Sequence, residues 1–234
     1  MDLFGNTVFL EWSQLGSTTR LLMNQLHYGA LAFMVLAYSF RVWQLFKMTP
    51  IKEGTPARGD HKKAIRYSYM LLAMPWEMES TRKHWGRWFE FAFFHVAMAL
   101  GIATAFTMPI AHELMRHQIV VYGLQATFAL AALIGVSRLL RRLGSPAMRA
   151  ISHPDDYFCL LLLTAWMASG LLAVPQMHEP SLLAFFGLAT FFLVYVPFSK
   201  ISHYIYWFFL RYHTGKHFGH RAVYPKKSVP DTAA

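Results

Sequence analysis

Apolar residues along this chain gather in long runs instead of alternating every second position. Five runs can be drawn, roughly 21–46, 88–110, 119–140, 157–174 and 182–210. Each approaches or exceeds the ~20 residues that match the hydrocarbon thickness of a bilayer, and tilt absorbs the extra length of the first and last. The pattern predicts an all-α integral membrane bundle of five transmembrane helices. A stretch at 60–74 differs, because it is basic, amphipathic and closed by Pro75. It reads either as a helix lying on the membrane surface or as a docking surface for a soluble subunit.

Composition agrees with a bilayer as solvent. The 234 residues are 55% hydrophobic and 15% charged, whereas soluble domains carry about 25% charged residues. The single cysteine, Cys159, lies within an apolar run, so no disulfide framework or cysteine-ligated cluster is available. The first twenty residues hold Asp2 and Glu11 and lack a basic start followed by an apolar core, so no cleavable signal is evident.

The net charge of +10 does not point to nucleic acid, because the cations lie between the apolar runs. Nine Lys and Arg separate the first two runs; the next connection holds only Arg116. Arg141, Arg142 and Arg149 fill the third, the fourth has none, and Arg211, Lys216, Arg221, Lys226 and Lys227 follow the last run. By the positive-inside rule the N-terminus faces outward and the C-terminus faces the cytoplasm. The expected organisation is a single membrane domain over 1–223, with a cytoplasmic loop at 47–87 and a polar tail at 224–234.

Twelve histidines carry the candidate chemistry. Most fall in loops, the tail or at helix edges, where solvated or headgroup-facing imidazole is ordinary. His95 and His203 fall inside the second and fifth runs. A polar side chain in hydrocarbon is costly unless paired, so both are functional candidates. Counted along each run, each lies about seven residues, or ~10 Å, from the cytoplasmic end. Matched depth is what one haem held between two antiparallel helices requires. A histidine hydrogen-bonded between helices and a proton-relay histidine are the alternatives. Ala97, Ala99, Gly101 and Ala103 beyond His95 permit close helix approach and leave room for a flat macrocycle.

The segment Val196-Pro-Phe-Ser-Lys-Ile-Ser-His203 resembles the Pro-Phe-Ser-Arg/Lys-x-x-His motif in the last helix of the respiratory nitrate reductase gamma subunit family. That family includes the membrane cytochromes of sulfate reducers and of heterodisulfide-reductase-type complexes. Phe94-His95 and Arg141-Arg-Leu-Gly-Ser-Pro-Ala-Met-Arg149, followed by an apolar helix ending Gly170-Leu-Leu, extend the resemblance over about 88–211. It implies that His95 and His203 are axial ligands of a haem b near the cytoplasmic face. Arg87 and Lys200 are candidates for its propionates, with snorkelling to headgroups the ordinary alternative. The family's outer haem would be ligated ten residues after His95 and eighteen before His203. Those positions hold Ala105 and Phe185, so one haem is expected, and His27 is the residue able to furnish an unusual second site. His27, His112, Arg116 and His117 are candidate contacts for menaquinone or ubiquinone, beside plain interfacial anchoring.

The resulting expectation is an electron-transfer subunit of a multisubunit complex in a prokaryotic cytoplasmic (inner) membrane. Its partners would be a cytoplasmic iron–sulfur subunit and other membrane subunits. No catalytic residue of a complete enzyme is assigned. A cofactor-free membrane anchor is the principal alternative. A transporter using His95 and Glu90 is disfavoured by uncharged spans and the lack of inverted repeats.

Overall fold

The computed structural model describes residues 10–49 and 53–225. Among these residues the regular structure is helical throughout. The principal helices are α1 (Ser17–Lys47), α2 (His61–Met70), α3 (Trp85–Thr107), α4 (Gln118–Gly144), α5 (Pro154–Ala173), α6 (Glu179–Tyr195) and α7 (His203–His220). Five of them are long and apolar enough to cross a membrane: α1, α3, α4, α5 and α6 with the turn that extends it to Phe198. The five expected spans are therefore present, shifted by a few residues at most ends.

Local chemistry sets several boundaries. Pro154 occupies the first turn of α5, where its missing N–H costs nothing. His153 and Asp156 form a reciprocal capping box ahead of it, with the Asp156 carboxylate accepting the His153 N–H at 2.8 Å. At α2, the Asp60 carboxylate accepts from the Lys62 and Lys63 backbone N–H groups at 2.8 and 3.1 Å, a standard N-cap. Within α1, residues Leu22–Leu26 form a π-helical turn immediately before His27.

One boundary overturns an expectation. The run 182–210 is not one helix. It closes with a 3-10 turn at Val196–Phe198, passes through an extended Ser199 (φ −106°, ψ 170°), and restarts after a second turn at Lys200–Ser202. Pro197 has no N–H to continue the ladder. Ser199 Oγ donates to the Val196 carbonyl at 3.1 Å and accepts from the Ile201 N–H at 3.2 Å, which gives the backbone a local alternative to the helix. His203 is consequently the first residue of α7, and the depth reckoned back from residue 210 does not hold.

The chain folds as two compact units. The first comprises Glu90–Ile201 with the chain up to Trp43; the second comprises Gln44–Phe89 with the chain from Ser202 onward. In the first unit α4 packs along α5, α5 along α6, and the π turn of α1 against α6. Its core is aromatic and close-packed: Phe128, Phe185, Phe186, Met167 and Leu182 have no accessible surface. Trp166 and Phe185 stack with centroids 5.6 Å apart and planes within 9°, an arrangement worth about 0.5–1.5 kcal/mol beyond simple burial. A methyl group on Gly101 would meet Met167 at 2.8 Å and Trp166 at 3.2 Å, so the absence of a side chain there admits these large residues.

In the second unit α2 and α7 lie antiparallel along their whole length. Arg58 donates its backbone N–H to the His220 carbonyl at 2.8 Å at one end, and Tyr69 Oη donates to the Phe208 carbonyl at 2.7 Å at the other. Close backbone approach between them rests on Gly215 and Gly219, one turn apart. A methyl at Gly215 would come within 2.5 Å of the Ile65 Cα, and one at Gly219 within 2.6 Å of the Ala64 Cβ. Ala64 and Ser68, also one turn apart, are fully buried. Small residues on both helices make this seam. The amphipathic face of α2 therefore has a protein mate.

Candidate functional site

His95 lies ten residues into α3, with its side chain exposed on the face away from the first unit's core. Its Nδ1 stands 2.8 Å from the Phe91 carbonyl, one turn back, and its ring lies 4.1 Å from the Phe91 ring. With Nδ1–H donating to that carbonyl, the tautomer is set and Nε2 presents its lone pair. Metal-ligating histidines characteristically hold their other ring N–H in this way.

The small residues around His95 divide between two tasks. Ala97 and Gly101 are buried and serve packing, as described for Gly101 above. Ala99 and Ala103 are exposed, one and two turns beyond His95 on the same face. They leave a low strip beside the imidazole, which is the shape a flat macrocycle needs. His203, in the second unit, opens α7 and is exposed. The two ligand candidates thus belong to different units.

Ionic neighbours cluster at the basic end of the first unit. Lys200 Nζ pairs with Asp156 at 2.8 Å, and Arg142 approaches the same carboxylate at 3.7 Å while donating to Ser152 Oγ at 2.6 Å. Tyr195 Oη donates to Asp155 at 2.7 Å. Arg141 pairs with Glu90 at 3.4 Å, and the Arg138 guanidinium sits 4.9 Å over the Phe94 ring. Sequence reasoning missed Asp155 and Asp156, which read only as helix-start acids. Arg87, in the second unit, is exposed.

At the opposite end, the candidate quinone contacts separate. His112 stacks on Trp12 with centroids 4.9 Å apart and approaches Glu113 at 3.2 Å. Arg116 donates to the Leu10 carbonyl at 2.7 Å and pairs with Glu113 at 3.0 Å. Both fasten the N-terminal segment, and His117 is exposed at the start of α4. The hub of this end is Gln176, which sequence reasoning also missed. It is fully buried with φ 55° and accepts from Trp12 Nε1 at 2.9 Å. It also donates to the His112 carbonyl at 3.3 Å, and its own carbonyl accepts from Leu10 N–H at 3.0 Å.

His27 is different. It is 1% exposed, its Nδ1 lies 3.2 Å from Thr190 Oγ1, and Phe106 and Phe186 wall it at ring distances of 4.8 and 5.8 Å. Its Nε2 is buried without a hydrogen-bond partner among the described residues. The positions of the family's outer ligands are closed in: Ala105 is 2% exposed, and Phe185 is the inner partner of the Trp166 stack.

Among the described residues no group of three histidine, cysteine or acidic side chains is placed to hold a metal ion by itself; a haem asks of the protein only two axial ligands. Comparison with curated proteins and with solved structures found no match. The family comparison did, over residues 68–184, a stretch that contains His95 and ends before His203. The chain belongs to the nitrate reductase gamma subunit family, whose members are haem b-containing membrane subunits of redox complexes.

Proposed function

We propose that this chain carries one haem b between His95 and His203. It would pass electrons between the quinone pool, or a partner membrane subunit, and a cytoplasmic iron–sulfur subunit in a prokaryotic cytoplasmic membrane. The observation that carries the reading is the His95 Nδ1···Phe91 carbonyl bond of 2.8 Å, which turns Nε2 into the ligand atom beside the Ala99–Ala103 strip. Family membership supplies the cofactor class.

Bound haem b supplies reversible one-electron chemistry, with its potential set by ligand type and burial. The chain's own residues would do the rest. His95 and His203 hold the iron from two helices. Arg87, eight residues or ~12 Å before His95 along α3, offers a guanidinium to a propionate. Lys200 offers its ammonium three residues before His203, shared with Asp156. Ala105 and Phe185, shut within the aromatic core, support a single haem.

For quinone, His27 is the first residue to test, because its buried Nε2 retains unused hydrogen-bonding capacity. His112 and Arg116 are engaged in fastening the N-terminal segment, and His117 is a secondary candidate.

A reduced-minus-oxidised difference spectrum of the purified protein, with a haem-to-protein ratio, tests the proposal. A b-type band at a ratio of about one is expected, and His95→Ala and His203→Ala should each abolish it. A variant retaining full haem would refute that ligand. Absence of the band from the wild type would leave a cofactor-free anchor.

A further inference from the structure

We infer that the α2–α7 hairpin is the docking post for the acidic face of the soluble electron-carrying subunit, and that its tip, carrying Lys62, Lys63, Arg66 and Lys216, makes the contact. This deepens the functional reading above and rests on it for the identity of the partner.

Polarity along the hairpin runs lengthwise. On α7, residues 203–210 are apolar apart from His203 and its tyrosines, whereas Arg211, His213, Lys216, His217 and His220 all fall in the second half. α2 runs the other way, with Lys62, Lys63 and Arg66 near its start and Tyr69 and Met70 at its end. The antiparallel pairing brings like to like. His61 Nδ1 meets the Lys216 carbonyl at 3.2 Å at the basic tip, and the Tyr69 and Trp207 rings lie 5.5 Å apart at the apolar base. A helix lying on a membrane divides its polarity around its circumference; division along the axis belongs to a rod that crosses the interface.

Magnitude then decides between lipid and protein as occupant. From Arg211 to His220 the basic half of α7 is ten residues, or ~15 Å. The headgroup zone on one side of a bilayer is only about 5–7 Å deep. The tip therefore stands beyond the headgroups in water.

The charge at this tip is not neutralised from within. Among its described residues the second unit holds eleven Lys and Arg and four acids. Every acid has an assignment: Glu53 binds His217 and Arg221, Asp60 caps α2, Glu77 accepts from Tyr67, and Glu79 pairs with Lys83. Lys62, Lys63 and Arg66 are exposed on one side of α2; the nearest acid is Asp60, 4.0 Å from Lys63. Complementary charge at such a surface governs encounter rate and salt sensitivity.

The test uses washed native membranes carrying the assembled complex. They are extracted at rising NaCl, acid-labile sulfide is assayed in the released fraction, and the haem b spectrum is read in the membranes. Wild-type membranes should release the iron–sulfur protein as salt rises. Lys62→Glu/Arg66→Glu should release it at about threefold lower salt with haem b unchanged, and Arg82→Glu/Lys83→Glu, the same reversal off the hairpin, should behave as wild type. Three results would overturn the inference: wild-type retention of all sulfide at 1 M NaCl, tip variants holding it as firmly as wild type, or equal loosening by both pairs. Tip variants that instead lose retention of added phosphatidylglycerol, with sulfide release unchanged, would assign the tip to lipid and also overturn it. Wild-type membranes lacking haem b would defeat the cytochrome reading, while salt-dependent sulfide release would still judge the docking site.

Discussion

Trp12 Nε1 donates to Gln176 Oε1 at 2.9 Å, across 164 residues of sequence. Gln176 makes this bond from a left-handed backbone conformation (φ 55°) with no exposed surface. Gln176→Ala would leave Trp12 without its acceptor and keep the strained backbone. It should cost about 1–3 kcal/mol. Gln176→Gly loses the same bonds but relieves roughly 1 kcal/mol of strain. Thermal unfolding in detergent should rank wild type above Gln176→Gly and Gln176→Ala lowest. An alanine variant as stable as wild type would remove Gln176 from its role as hub.

The two sides of α3 beyond His95 can be separated by the same substitution. Ala99→Leu fills the exposed strip and should lower haem content while leaving the unfolding midpoint unchanged. Ala97→Leu overfills a site with no accessible surface and should destabilise by about 1–3 kcal/mol. Full haem occupancy in the Ala99→Leu protein would show that the cofactor does not use this face.

Gly215→Val should separate α2 from α7, since even a methyl group meets the Ile65 Cα at 2.5 Å. Limited proteolysis should then cut within 61–70 several-fold faster than in wild type. Unaltered protection would mean that the helices tolerate wider spacing.

The hairpin should also loosen in acid. Backbone N–H groups of Lys63 and Lys62 hold the Asp60 carboxyl below its usual value, and the hydrogen bond from His217 does the same for Glu53. Both groups bind protons less readily when folded. Their contribution is therefore present above the ordinary carboxylate pKa of about 4 and is lost as pH falls through the lower folded values. Amide exchange in 61–70 should accelerate below pH 4 after correction for intrinsic rates, and Asp60→Asn should flatten that change.

Hydrophobic run length made the five spans legible, because bilayer thickness imposes a length that composition must satisfy. His95 was legible for the same reason, as a polar group in an apolar run. The break before His203 was half visible: Pro197 announced a kink, but the Ser199 hydrogen bonds that complete the interruption depend on a backbone already turned. Gln176 left no signal, since its partners lie far away in sequence and its left-handed backbone is rare outside glycine. The α2 mate was missed because amphipathicity reports that a face is covered and is silent on what covers it.

The glycine seam also bears on how the chain is made. α2 is complete by residue 70, yet the helix carrying Gly215 and Gly219 begins 133 positions later. While the intervening spans are being synthesised, the narrow face of Ala64 and Ser68 has no counterpart. Ribosome-bound intermediates truncated before residue 203 should therefore leave that segment open to protease, and closure of the hairpin becomes a late event of biogenesis, reached only when the last thirty or so residues emerge.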